Sequence, residues 1–178
     1  EVNQEFVDKN GIRVARRLSG GGAVYHDKGN LNYTIIVDRD KNPDFEFDLF
    51  IVPVIEALRE LGVEAEFNGR NDIVIDGRKF SGSSQYVKEN RILHHGCIML
   101  DSNLDDVRDA LKVKAAKIES KSIKSVRSRV NTINEHAPEK ISMEQFKEAL
   151  KDQVMSGKDS KTYELTDEDR EEIQKLTS

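Results

Sequence analysis

The sequence predicts an α+β domain in which a mixed β-sheet is flanked by helices. Two observations lead there. Short runs rich in β-branched residues, bounded by Gly, Asn and Asp, recur through the first 100 positions, and after residue 100 the apolar spacing turns helical. Arg13 to Leu18 and Asn32 to Asp38 read as strands. Phe47, Phe50, Ile51, Val54, Ile55, Leu58 and Leu61 recur at three- and four-residue steps and stop at Gly62, the pattern of an amphipathic helix with a glycine terminator. Pro53 marks its first turn or a kink. Asp72 to Asp76 is a short strand. Asp76-Gly77 is a hairpin turn, because both residues tolerate positive φ, and Lys79 opens the returning strand. Arg91 to Leu100 is a further strand. Leu104, Val107 and Leu111 give a short helix. Ser142 and Gln145 form a capping box that opens a helix over Met143 to Met155, with Phe146, Leu150 and Val154 on one stripe. Thr166 caps an acidic segment that ends at Leu176.

At 178 residues the chain is expected to be a single domain over 1–178, strand-rich in 1–100 and helix-rich in 101–178. It is 37% hydrophobic and 34% charged, and its 7 Phe and 4 Tyr exclude a disordered chain. A net charge of -5 excludes nucleic-acid binding by the charge of the whole domain. One cysteine, Cys97, excludes an intramolecular disulfide framework and fits a reducing compartment. No apolar run approaches the roughly 18 residues that span a bilayer. The expectation is a cytoplasmic protein without a membrane partner. The chain opens on Glu1 and closes just past a helix, so it reads as cut from something longer. Its oligomeric state is not legible.

Four stretches hold chemistry-bearing residues. In Arg16-Arg17-Leu18-Ser19-Gly20-Gly21-Gly22-Ala23-Val24-Tyr25-His26-Asp27, three glycines remove every Cβ and let successive N–H groups converge on an anion, with arginines alongside. A flexible hairpin turn is the alternative reading. Gly69-Arg70-Asn71-Asp72 is followed by Gly77-Arg78-Lys79-Phe80-Ser81-Gly82-Ser83, where Lys79 sits among small residues as a point charge for a phosphate or a polarised carbonyl. A solvated hairpin lysine and ordinary turn residues are the alternatives there. In His94-His95-Gly96-Cys97, strand alternation sends the two histidines to opposite faces, so they do not make one metal site. His95 and Cys97 share a face, which makes a Cys–His nucleophile conceivable, although a small apolar core residue is the commoner role for such a cysteine. Lys112 to Arg129 carries seven basic residues against one acid, Glu119, as a solvated helix face or a docking surface for an acidic partner.

Taken in order and spacing, Arg16-Arg17-x-Ser19-Gly20-Gly21-Gly22-Ala23-Val24-Tyr25-His26-Asp27-x-Gly29-Asn30, Gly69-Arg70-Asn71-Asp72, Gly77-Arg78-Lys79-x-Ser81-Gly82-Ser83, His94-His95-Gly96 and Ser125-Val126-Arg127-Ser128-Arg129-Val130 resemble the lipoate–protein ligase A family over nearly the whole chain. The resemblance implies the catalytic domain shared with biotin ligases and octanoyltransferases. It also implies a two-step reaction in which ATP, with Mg²⁺, activates lipoate to lipoyl-AMP, and a lysine of an acceptor domain then takes the lipoyl group. The implied acceptors are lipoyl domains of 2-oxoacid dehydrogenases and the glycine-cleavage H protein. Matching positions place Lys79 at the α-phosphate and acyl carbonyl. Gly20, Gly21, Gly22, Ala23, Asn71, Asp72 and Ser84 match the adenylate side, with Asp72 as an aid to Mg²⁺. Arg17, Ser19, His26 and His95 match the acyl pocket.

The chain departs from that pattern in three places. Tyr86 stands where some relatives have an arginine seven residues after the lysine. A segment that walls the lipoyl pocket is expected before Glu1, and an accessory domain after Leu176. Two rival readings follow. One is an ATP-independent lipoyl or octanoyl transferase working through a cysteine thioester, and the other is a non-catalytic remnant that binds lipoate or an acceptor.

Overall fold

Five segments pair into one antiparallel sheet. In the computed structural model, which describes residues 2–41, 48–68, 72–111, 129–157 and 159–177, the strands are β1 (Asn30–Asp38), β2 (Glu66–Phe67), β3 (Asp72–Ile75), β4 (Arg78–Lys88) and β5 (Arg91–Met99). They lie in the order β1-β5-β4-β3-β2. All four ladders are antiparallel. The α+β class therefore holds, and the parallel pairing of the expected mixed sheet is confined, among the described residues, to an isolated bridge between Lys79 and Val130.

Local chemistry explains most boundaries. Helix α2 (Asp48–Glu60) ends in a Schellman turn. Gly62 takes φ +77° while Val63 N donates to Leu58 O and Gly62 N to Arg59 O. Pro53 lies inside α2. The β3–β4 hairpin turns on Asp76 at φ 50° and Gly77 at φ 70°, the left-handed pair a two-residue turn requires. Helix α3 (Leu104–Ala110) is capped by Asn103. Helix α4 (Met143–Met155) opens on the Ser142–Gln145 capping box and α5 (Asp167–Thr177) on Thr166, whose hydroxyl accepts from Asp169 N.

Residues 13–18, expected as a strand, form none. Val14 and Leu18 are 60% and 79% exposed. β-propensity describes how a side chain fits a pleated, half-buried surface, and among the described residues this segment has no ladder neighbour to supply one. The structure adds helix α1 (Gln4–Lys9), the two-residue β2 and a 3-10 turn at Ile133–Glu135. Helix α1 is held to α3 by Asn3, which donates to the carbonyls of Asp109 and Ala110.

Register divides the sheet into two faces. Tyr33, Ile35, His94 and Ile98 point toward α2 and α4, which pack on each other. The core fills that side with Ile51, Val54 and Leu58 of α2, Ile73 and Ile75 of β3, and Phe146 and Leu150 of α4. The opposite face carries Asn32, Cys97 and Gly82 in one row and Thr34, His95 and Ser84 in the next. No helix covers these two rows among the described residues, and the site is built on them.

Candidate active site

Strict alternation would put Lys79 on the opposite face from Gly82 and Ser84, since odd and even residues of one strand point apart. The β3–β4 ladder breaks that rule. Ile73 pairs with Ser81 and Val74 with Lys79, so one step along β3 spans two along β4, and Phe80 is the extra residue of a β-bulge. Phe80 turns into the core, 0% exposed, and Lys79 comes round to the open face. There its Nζ pairs with Asp72 Oδ1 at 2.6 Å. A Cβ on Gly82 would lie 2.6 Å from that Nζ, so the missing side chain is the space the ammonium occupies.

The glycine loop is fastened over the same face. The Arg17 guanidinium donates to the carbonyls of Gly20 and Gly22, each at 2.8 Å, and Gly21 between them takes φ +107°. The Ser84 hydroxyl of β4 donates to Gly20 O at 3.1 Å. Arg17, expected to line the acyl pocket, thus lines the cavity and also braces the loop. Ser19 Oγ lies 2.5 Å from His95 Nε2, and Asn30 Nδ2 lies 2.8 Å from His26 Nδ1. Burial and then the Arg17 charge lower the pKa of both His26 and His95. Both rings are therefore kept toward the neutral form, able to accept as well as donate.

These groups share one cavity of about 380 Å³. Lys79, the three glycines, Ala23, Ser84, Arg17, His26 and His95 all line it. Ser19 joins through His95, and Asp72 through Lys79. Asn71 lies outside the described residues, as does 112–128, the bulk of the basic stretch. Among the described residues no three His, Cys, Asp or Glu side chains gather as a metal site.

Sequence reasoning missed Asn32 and Thr34 and placed Cys97 in the core, whereas all three line the cavity. A signal was available, because they are ladder partners of residues already singled out. Thr34 stands opposite His95, Asn32 opposite Cys97, and Cys97 opposite Gly82. Burial nevertheless pushes the Cys97 thiol pKa up, against the opposing pull of the Gly82 carbonyl contact and the charges of Lys79 and Arg17. That is the reverse of an activated nucleophile.

Comparisons with known proteins bear on the family and the fold. The lipoyl protein ligase A/B catalytic domain profile matches residues 1–155. Lipoate-protein ligase LplJ of Bacillus subtilis is 50% identical over 180 residues, covering 99% of this chain and 54% of that protein. The chain therefore spans about half the length of the curated relatives it matches. Among solved structures, the bi-partite lipoate protein ligase of the archaeal lipoylation system of Thermoplasma acidophilum, described with its E2 lipoyl domain, superposes with a TM-score of 0.83 at 29% identity. The match covers 98% of this chain and 70% of that one. A lipoate-protein ligase A bound with ATP gives 0.79 at 26% identity, covering 98% and 71%.

Proposed function

This chain belongs to the lipoyl protein ligase A/B catalytic domain family, and from that premise we propose that it carries the catalytic site of an ATP-dependent lipoate–protein ligase. Lipoate's carboxylate attacks the α-phosphorus of ATP, the bond to pyrophosphate breaks, and lipoyl-AMP forms. The ε-amine of an acceptor lysine then attacks the acyl carbonyl and expels AMP. The acceptors are lipoyl domains, including those of 2-oxoacid dehydrogenases, and the glycine-cleavage H protein. The relative from Thermoplasma described with an E2 lipoyl domain supports the first class. Residues 1–178 act as one catalytic unit, in the cytoplasm. No helix of the described residues is long and apolar enough to cross a membrane.

The single observation that carries the reading is the convergence of the Lys79 ammonium and the Gly20–Gly22 loop on one cavity. Both half-reactions build negative charge on oxygen, at the phosphorus and then at the carbonyl, and a preorganised cation stabilises each without reorganising. Asp72 holds the ammonium in place, Gly82 makes room for it, and the loop lets backbone approach the adenylate closely. Arg17, Ser19, His26 and His95 shape the acyl side, and Ala23, Asn71 and Ser84 the nucleotide side. Among the described residues, Asp72 is the carboxylate paired with Lys79. A carboxylate beside a phosphate site fits Mg²⁺, which Asp72 would help to hold and which would offset phosphate charge there.

Incubating the full-length protein with lipoate, Mg²⁺ and an acceptor domain, with and without ATP, tests this. Pyrophosphate release and an acceptor heavier by one lipoyl group only when ATP is present support the ligase. Transfer without ATP that is abolished by Cys97→Ser would establish the thioester transferase. Lipoate binding with no release would establish the non-catalytic remnant.

A further inference from the structure

We infer that Asn131 and His136 are positioning residues for Lys79, clamping the hairpin that carries it. The inference rests on the reading of Lys79 as the residue that stabilises developing charge. The β4–β5 ladder stops at the Ser81–Ile98 pair, so β4 has no β5 neighbour at Lys79. Residues 129–131 take that place. Lys79 N donates to Arg129 O at 2.9 Å, and Asn131 N donates to Lys79 O at 3.0 Å.

The side chains extend the hold to the rest of the hairpin. Asn131 is 0% exposed, and its Nδ2 donates to Ile75 O at 3.1 Å and to His136 Nε2 at 2.9 Å. Ile75 ends β3, so one asparagine grips both arms. His136 Nε2 also accepts from Arg78 at 3.1 Å, and its Nδ1 lies 3.2 Å from Asp76 Oδ2. With the proton on Nδ1 the ring donates to Asp76, and the one lone pair of Nε2 is shared between Asn131 and Arg78. Asp76 and Arg78 flank Gly77, so the two residues of the clamp reach Ile75, Asp76, Arg78 and Lys79.

Those contacts fall where the ladder is weakest. A bulge leaves its extra residue unpaired and bends the strand, and the bulged residue, Phe80, is the immediate neighbour of Lys79. The direction of the Lys79 side chain therefore depends on what holds the backbone on its turn side. Neither Asn131 nor His136 lines the cavity, so each acts through Lys79 and not on a bound molecule.

The test is steady-state pyrophosphate release by the full-length protein carrying His136→Ala, His136→Gln, Lys79→Ala and the double variant His136→Ala/Lys79→Ala. A displacement of order 1 Å at a catalytic group costs up to about a hundredfold. His136→Ala should lower kcat by about tenfold or more, with the KM values for lipoate and ATP within about twofold. His136→Gln, which keeps an acceptor for Arg78 and Asn131, should recover much of the loss. Adding His136→Ala to Lys79→Ala should cost nothing further, because the group it positions is gone. An unchanged kcat, a loss carried by KM, or equal losses in both backgrounds would overturn the clamp. Should His136→Ala fail to fold, His136→Leu, which fills the space of the ring without an acceptor, decides: a lower kcat at unchanged KM supports the clamp, and an unchanged kcat or a raised KM overturns it. If Lys79→Ala itself keeps full activity, the functional assignment fails first. That result is visible in the single variant alone.

Discussion

His94 and His95 are adjacent in sequence and opposite in environment. His94 faces the helices, 0% exposed and stacked on Phe50 with ring centroids 4.3 Å apart. Gln85 Nε2 donates to its Nδ1 at 3.1 Å, and Tyr33 Oη lies 3.3 Å from its Nε2. His95 faces the open side, where Ser19 and the cavity meet it. The contrast holds for the two faces as wholes. One side of the sheet is filled by α2 and α4 and carries stability; the other is lined with Gly, Ser, Asn and Thr and has room for a molecule. Residue type did not separate the histidines, and the period of two did.

Substitutions can break or sharpen this division. The largest expected effect is on the covered side. Phe80→Ala leaves a hole in the core and should cost about 3–5 kcal/mol in urea unfolding. A cost below about 1 kcal/mol would mean that the bulged residue is not packed as described. His94 gives the next effect, through pH. Burial, with a smaller push from His95, lowers its pKa from 6.5 to about 4 in the folded state. Above pH 6.5 both folded and unfolded rings are neutral and the folded state keeps its full stability. As pH falls from 6.5 toward 4, the unfolded chain binds a proton that the folded chain does not, so stability drops by up to about 1.4 kcal/mol per pH unit. Denaturation followed over that window should show the slope in the parent and lose it in His94→Gln. An equal slope in both would assign the acid sensitivity to other groups.

A pair of glycines separates the faces most finely. A Cβ on Gly96 would meet the Tyr33 ring at 2.6 Å, and a Cβ on Gly82 would meet Lys79 Nζ at the same distance. The ring packs against the core beside His94, so Gly96→Ala should cost about 1–3 kcal/mol of stability. The lysine is a flexible end at a cavity. Gly82→Ala should therefore change the melting curve by about 0.5 kcal/mol or less, as surface substitutions do, while adenylation falls by tenfold or more. Reversed outcomes would invert the assignment of the two faces.

Much of this was readable before the fold was known, wherever the signal was local. The Ser142–Gln145 box gives α4 its boundaries because the capping groups lie three residues apart. Asp76-Gly77 gives the hairpin because its φ values suit so few residues. The glycine loop, Lys79 and His95 were each visible as separate motifs, and the resemblance supplied their common purpose. What escaped depends on partners distant in sequence. Residues 13–18 have strand composition and, among the described residues, no strand to pair with. The Phe80 bulge, which decides where Lys79 points, is a property of two strands in register and leaves no mark on one. Asn131 and His136 lie more than fifty residues beyond the hairpin they hold, and an Asn and a His on a loop look like many others.

The account turns on Lys79 serving both chemical steps from one position. Single-turnover measurement of Lys79→Ala isolates them: pyrophosphate release from ATP and lipoate in one assay, and transfer from preformed lipoyl-AMP to an acceptor domain in the other. The account predicts that both slow by about a hundred- to a thousandfold, the usual cost of removing one oxyanion-stabilising donor, with the melting curve unchanged. Either step proceeding at the parent rate would contradict it.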